Sequence, residues 1–352
     1  MTRSSSSVVT LLGCLLACLT AFPTTAQADV FNMPGGQTSV SMVTIGNPGN
    51  VPDTGGTVGA GAVSYTYKMD AYDVTTAQYT QFLNAVAATD TYGLYTDSPE
   101  YTSMAAAFPT VGITQSGSSG SYTYSVIGNG NVPVFGVTWG DAARFCNWLQ
   151  NGQPIGAEGN GTTETGAYTL NGAVSTSALM AITRNADATY VIPSVDEWYK
   201  AAYYDPTNAT YWSYATQSNL VPSNVLSALG TNNANYSTYS LTPVGAFASS
   251  PSDYGTFDQA GNVFQWTEGA ITNQATRVVY GGSWESFSGA MLSSFQTSSQ
   301  PDTPNANVGF RVADVTPVPE AGSFTLLAVG AIGVLIAAIR RHVVAGFSRG
   351  GG

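Results

Sequence analysis

Three stretches of the chain carry apolar residues at helical spacing, and each is preceded by its own start signal. Tyr79, Phe82, Leu83 and Val86 recur at i, i+3, i+4 and i+7, as do Ala142, Phe145, Cys146 and Leu149, so each stretch predicts a helix with one buried face. A third, from Ser194 to Tyr203, sets Val195, Trp198, Tyr199 and Ala202 on one side. Ahead of them stand Thr75 with Gln78, Thr138 with Asp141 and Ser194 with Glu197. In such a capping box the hydroxyl and the acid or amide three residues on satisfy N–H groups that a helix start leaves unpaired.

Short strand-like runs cover residues 39–45, 63–69, 122–126 and 277–280, the last closing on the Gly281-Gly282 turn. Strands and helices do not alternate as they would in a parallel sheet. Gly152 to Asn185 and Thr207 to Thr242, dense in Gly, Ser, Thr and Asn, are expected to be surface loops or insertions. Asn47 to Gly61 reads as a Gly/Pro-rich loop within the domain, because strand-like sequence resumes at once.

The two ends of the chain differ from this pattern. Arg3, an apolar run from Val8 to Phe22 and the small-residue exit Ala26-Gln-Ala28 predict a secretory signal over residues 1–28, with a lipoprotein anchor at Cys18 as the alternative. At the other end Val318-Pro-Glu-Ala321 precedes a charge-free run, Gly322 to Ile339, then Arg340 and Arg341. As a helix, Ala321 to Ile339 would be about 28 Å long, near the hydrocarbon thickness of a bilayer, with the arginines on the cytoplasmic side. Residues 29–317 would then form one exported domain, with 342–352 a short tail.

That domain has six basic residues against twenty acidic ones, a balance of −14. Nucleic acid is therefore not an expected partner, since phosphate contacts need clustered cations. Two absences narrow the chemistry further. The one histidine, His342, lies beyond the apolar segment, which removes Ser-His-Asp and Cys-His catalysis and histidine-held metals from the domain. Its one cysteine is Cys146, on the inner stripe of a helix, so neither an intramolecular disulfide nor a CxxC pair can form.

Five landmarks follow one another: Tyr72 to Leu83, Pro133 to Arg144 with Cys146-Asn-Trp-Leu149, Ile192 to Trp198 with Ala201-Ala202, Pro243 to Phe247, and a final set. That set comprises Gly261-Asn-Val-Phe-Gln-Trp266, Gly281-Gly-Ser-Trp284 and Gly309-Phe-Arg311. Their order resembles the formylglycine-generating, sulfatase-modifying-factor family. The resemblance implies one α+β domain, that family's variant of the C-type-lectin-like fold, with long irregular loops. It also implies two redox cysteines after the GGS turn, whose thiolates hold copper(I) in active members. Here those positions are Ser286 and Met291, which do not supply a thiolate pair, so copper is not expected. Arg311 is expected to be a buried ion-pairing or carbonyl-capping group.

The resemblance further implies a structural calcium along Asp258, Gly261, Val263 and Gln265, with Gln265 where an acid is usual, and a second, weaker one beginning at Asn235. Hydrogen bonding of Asp258 and Gln265 to the turn's own backbone is the competing reading. The tail, with Pro319, Glu320, Arg340 and Arg341, is similar to a PEP-CTERM sorting signal of Gram-negative bacteria, which implies secretion machinery and an exosortase-like protease as partners. An ordinary membrane anchor is its alternative. The expected function is thus an exported, surface-sorted, non-catalytic module that binds a ligand such as polysaccharide or serves envelope or matrix assembly. The alternative is a formylglycine-generating-type oxidoreductase that acts on protein cysteine through other residues.

Overall fold

The computed structural model describes residues 39–96, 111–227 and 229–316. The expected signal sequence and Cys18, the sorting motif at Pro319 and Glu320, the apolar segment and Arg340 and Arg341 lie outside them. Among the described residues no helix is long and apolar enough to cross a membrane.

All three capping boxes form, reciprocally, and the helices they start are Thr76–Val86, Trp139–Gln150 and Val195–Tyr203. Each such cap contributes about 1 kcal/mol. The apolar stripes face inward as their spacing requires: Phe82 packs edge-on to Phe145 at 5.4 Å, and Phe145 in turn against Phe310 at 5.3 Å. Cys146 is fully buried in this core, and burial pushes its thiol well above the usual range.

Two four-stranded sheets hold the helices. In the first the order is Met42–Ile45, Tyr67–Asp70, Ala313–Asp314, Tyr190–Val191, all antiparallel. Pairing of Met69 with both Val43 and Ala313 joins the start of the domain to its end. The second sheet runs Thr297–Ser299, Thr276–Tyr280, Phe264–Ile271, Val308–Gly309, the last pair parallel. A hairpin of Val111–Ser116 with Thr123–Gly128 and a two-residue pairing of Tyr204–Asp205 with Thr210–Tyr211 complete the α+β architecture.

The segment Gly152 to Asn185 departs from its expectation as surface loop. It contains a fourth helix, Thr176–Ala181, and buries Glu164, Tyr168, Leu170 and Leu179. What holds it is polar as well as apolar: Arg144 pairs with Glu164 at 2.7 Å in the interior, and Asn147 Nδ2 donates to the carbonyls of Thr163 and Tyr168. Its apolar residues have no period because they enter the core singly between turns. Thr207 to Thr242 is divided in the same way, with Tyr214, Ala215 and Asn233 to Asn235 buried and residues 217–221 at the surface.

Candidate functional site

At one end of the strand pair Phe264–Ile271 and Thr276–Tyr280 the chain turns through Gly281 and Gly282, both at positive φ (103° and 76°). A Cβ on Gly282 would lie 2.8 Å from Met291 Cγ, so glycine is required both for the backbone and for the packing. Met291 is fully buried with Trp198, Tyr203 and Tyr280, and Tyr203 donates its hydroxyl to the Met291 carbonyl at 3.2 Å. Ser286 stays near the surface. Its Oγ accepts the Ser283 N–H at 3.0 Å and lies 2.8 Å from Ser283 Oγ, and neither contact is with a base that could activate it. The two positions singled out in the sequence thus diverge, one into the core and one to the rim.

Arg311 is fully buried, as expected. Its guanidinium pairs with Asp73 at 3.0 Å, donates to the carbonyls of Asp70 and Phe257, and donates through Nε to Gln265 Oε1 at 2.6 Å. The same Gln265 oxygen accepts from Trp198 Nε1 at 2.6 Å, while its Nε2 donates to the Asp258 carbonyl at 2.9 Å. Asp258 Oδ2 accepts from Gly245 N–H at 2.6 Å, and burial pushes its carboxyl up to about 6. Gly261 is pressed on the Asn235 backbone, and the Val263 side chain is buried. This donor set does not fit calcium as folded. The one side-chain oxygen of Gln265 is used twice, and a cation beside it would face the Arg311 guanidinium. Asn235 is likewise engaged, its Nδ2 donating to Ser240 O and Asn262 Oδ1 and its Oδ1 accepting from Thr238 Oγ1.

The other end of the strand pair is open. Between Trp266 and Ala270 the register slips. There Thr267 Oγ1 bonds the Val278 carbonyl and Glu268 N–H leaves the ladder for Pro193 O. Such a bulge re-aims a side chain, here Glu268. Gly269 permits it, since a Cβ there would lie 2.5 Å from Val195 Cγ2.

Glu268 faces Arg184, Tyr168 and a cavity of about 180 Å³ bounded also by Trp139, Ile182 and Arg277. Arg184 also borders a second, wider cavity of about 450 Å³ with Tyr65, Asn185, Asp187 and Thr316. Arg184 is bidentate to Glu197, both contacts at 2.9 Å, and reaches Glu268 at 2.9 and 3.0 Å. Tyr168 donates to Glu268 at 2.6 Å, and Tyr65 donates to Glu197.

Electrostatics separate the two carboxylates. Burial raises the Glu268 carboxyl despite Arg184; burial would also raise Glu197, but hydrogen bonds and charge from Arg184 outweigh it and hold that group below the usual range. Arg277 lies flat on Trp139 at 3.7 Å and donates to the carbonyls of Leu179, Ile182 and Glu268. Its Nε is buried without a hydrogen-bond partner, and burial lowers the guanidinium to about 10. Aromatic rings, one carboxylate and two guanidinium groups line this cavity.

The sequence points to Glu197 only as a helix cap, and to Arg184 and Arg277 only as two of six cations. That scarcity is itself a signal: in so charge-poor a domain Arg144, Lys200, Arg277 and Arg311 are all buried, and each is spent on a specific contact. Glu268 and Trp139 carry no comparable mark.

A family model described as the sulfatase-modifying factor enzyme 1-like domain matches residues 20–315. No curated protein matches the chain. Among solved structures, Treponema denticola variable protein 1 aligns over 82% of this chain and 99% of its own, with 16% identity and a TM-score of 0.50, which shows a shared fold. CarF aligns over 79% of this chain and 98% of its own (18% identity, TM-score 0.46), and PvdO from Pseudomonas aeruginosa over 82% and 98% (16%, 0.46).

Proposed function

The chain belongs to the sulfatase-modifying factor enzyme 1-like domain family, and from that premise we propose that it is an exported, non-catalytic member that uses the scaffold to bind an extracellular ligand. The observation that carries this reading is the contrast within one strand pair. Where active relatives are expected to present two thiolates, this chain has a hydroxyl tied to Ser283 and a methionine buried in the core. Beyond the bulge the same strands border a cavity with aromatic, cationic and anionic walls, and Arg184 joins it to a second, wider one.

The ligand class that suits such walls is a polar polymer, an extracellular polysaccharide, with a sugar face against the exposed Tyr65 and hydroxyl or carboxylate groups toward Arg184, Glu268 and Arg277. Sorting through the Pro319-Glu320 tail by an exosortase-like protease would place the module in the envelope or matrix.

A polysaccharide array with the purified protein, beside its Glu268→Gln and Arg277→Met variants, tests the reading. Binding that both substitutions weaken while circular dichroism stays native is the expected result. A blank array overturns binding. Conversion of a sulfatase-type cysteine peptide in the presence of copper and oxygen would instead establish the oxidoreductase.

A further inference from the structure

Between Asp205 and Asp253 the chain runs for 47 residues without one Asp, Glu, Lys, Arg or His, in a protein whose net charge is −11. Within that stretch Leu220, Val221, Val225 and Leu226 are each 55–75% exposed, and the neighbouring Tyr239 and Phe287 are 67% and 65% exposed. Hydrogen bonds tie the segments that carry these six together. Tyr236 donates its hydroxyl to Pro222 O and accepts Asn224 Nδ2 at its own carbonyl, which fixes the loop beside residues 236–239. Tyr239 N–H bonds Trp284 O, and Ser237 Oγ bonds Ser286 O, which places residues 237–239 beside residues 284–286, next in sequence to Phe287.

The polar groups of the loop are turned inward although the loop is at the surface. Asn232 Nδ2 donates to the carbonyls of Leu220 and Val221, and Asn233 Nδ2 to that of Val225. Ser223 exchanges backbone bonds with Asn232 and Ala234, and Val225 N–H is taken by Ser223 Oγ. A protein partner would ordinarily be met with about one hydrogen bond per 100–200 Å² of interface. Here the side-chain amides of Asn224, Asn232 and Asn233 are already engaged by backbone carbonyls. Sugars need donors and acceptors still more. A hydrocarbon phase has the opposite requirement: backbone polar groups satisfied internally, aliphatic tips, and aromatic rings at the level of the headgroups.

We propose that Leu220, Val221, Val225 and Leu226, flanked by Tyr239 and Phe287, seat this domain on a lipid bilayer by shallow apolar insertion. The contact is independent of lipid charge. The stretch that carries it holds no cation, and the acidic domain gains nothing from anionic headgroups. It rests on this surface alone and not on the groove, so either can fail without the other.

The full chain, with Cys14 and Cys18 changed to serine, would be labelled with an environment-sensitive dye at Leu226→Cys or, as a control on another face, at the exposed Ile155→Cys. Cys146 is buried and stays unlabelled. In phosphatidylcholine vesicles the dye at position 226, and not at 155, should shift to the blue and be quenched by spin-labelled lipid. The shift should be equal with or without anionic lipid and at high salt. Adding Val221→Asp and Val225→Asp, both at the surface, should reduce the bound fraction of the dye roughly tenfold. Equal emission at 226 and 155 overturns the proposal. So does a blue shift that appears without vesicles and grows with protein concentration, which would assign the face to a second copy.

Discussion

At one end of the strand pair Phe264–Ile271 and Thr276–Tyr280, Gln265 pairs with Tyr280 and is hydrogen-bonded to Trp198, Arg311 and the Asp258 backbone; at the other, Ala270 pairs with Arg277 and both border a cavity. Both ends contain a buried arginine, and the arginines do different work. Arg311 is saturated by an aspartate, a glutamine and two carbonyls, so it ties four segments together. Arg277 has no acid partner: it is stacked on Trp139, bonded to three carbonyls and left with one buried nitrogen, Nε, unpaired at the border of a cavity. A motif that a resemblance singles out can therefore mark a keystone, while the groups proposed for binding lie a few residues away on the same strands.

The largest test of this contrast is Arg311→Met. It would leave Asp73 and the Gln265 oxygen buried without their cation, at a cost of about 3–5 kcal/mol. A melting temperature lower by roughly 10 °C is expected. Arg184→Met, at the groove, should cost less, because its side chain is 20% exposed and the buried Glu197 keeps the Tyr65 hydroxyl and the Ser194 N–H as donors. Equal losses in thermal melts would erase the distinction between keystone and groove.

Gly269→Ala probes the open end alone. The added methyl would meet Val195 and Val278 and force the bulge to shift, an overpacking cost of about 1–3 kcal/mol, or roughly 5 °C. Glu268 should lose its alignment with Arg184, and any ligand affinity of the groove should fall with it. Val195→Ala in the same chain should restore both; rescue of stability without rescue of binding would show that Glu268 is not the aligned group.

Much of the packed end was legible in the sequence, and little of the open end. Helix starts at Thr75, Thr138 and Ser194 follow from local chemistry, since cap and acceptor are three residues apart. Arg311 could be read as internal because a lone cation after Gly-Phe in a charge-poor chain needs partners. Glu268 could not. Its direction is set by a bulge, and the bulge by a glycine that clears a helix 74 positions earlier, a tertiary cause without local trace. The burial of Tyr168, Leu170 and Leu179 was hidden for the related reason that isolated apolar residues between turns have no period.

pH should act on the buried aspartates and on Glu197 in opposite senses. Burial raises Asp70 at the packed end and Asp141 at a helix cap to about 7, and Asp258 to about 6. Each keeps its proton in the folded chain at pH values where the unfolded chain, near 4, has lost it. Between about 4 and 7 the folded state binds more protons, so these groups stabilise the fold below 4 and lose that contribution as pH rises to 7. Glu197, held low by Arg184, contributes instead above its unfolded value and loses its contribution only in acid. Melting temperatures a few degrees higher at pH 5 than at pH 8 are expected, with the slope flattened by Asp70→Asn. A protein more stable at pH 8 would mean that these aspartates are ionised and paired.

The smallest expected effect concerns the packed end again. If Arg311 and Trp198 occupy the oxygen of Gln265 as they do here, millimolar calcium has no vacant donor set at Asp258, Gly261, Val263 and Gln265. The melting temperature should then move by less than about 1 °C, since a cation stabilises only in proportion to its affinity for the folded state. Gln265→Glu provides the sharper comparison. A carboxylate would restore the charge that an oxygen-only site needs, but it would also pair with Arg311, and the guanidinium is already in place. Calcium should therefore remain without effect on the variant. A rise of several degrees in the unsubstituted protein would show that Gln265 releases Arg311 for the metal, and that the keystone is less rigid than its hydrogen bonds imply.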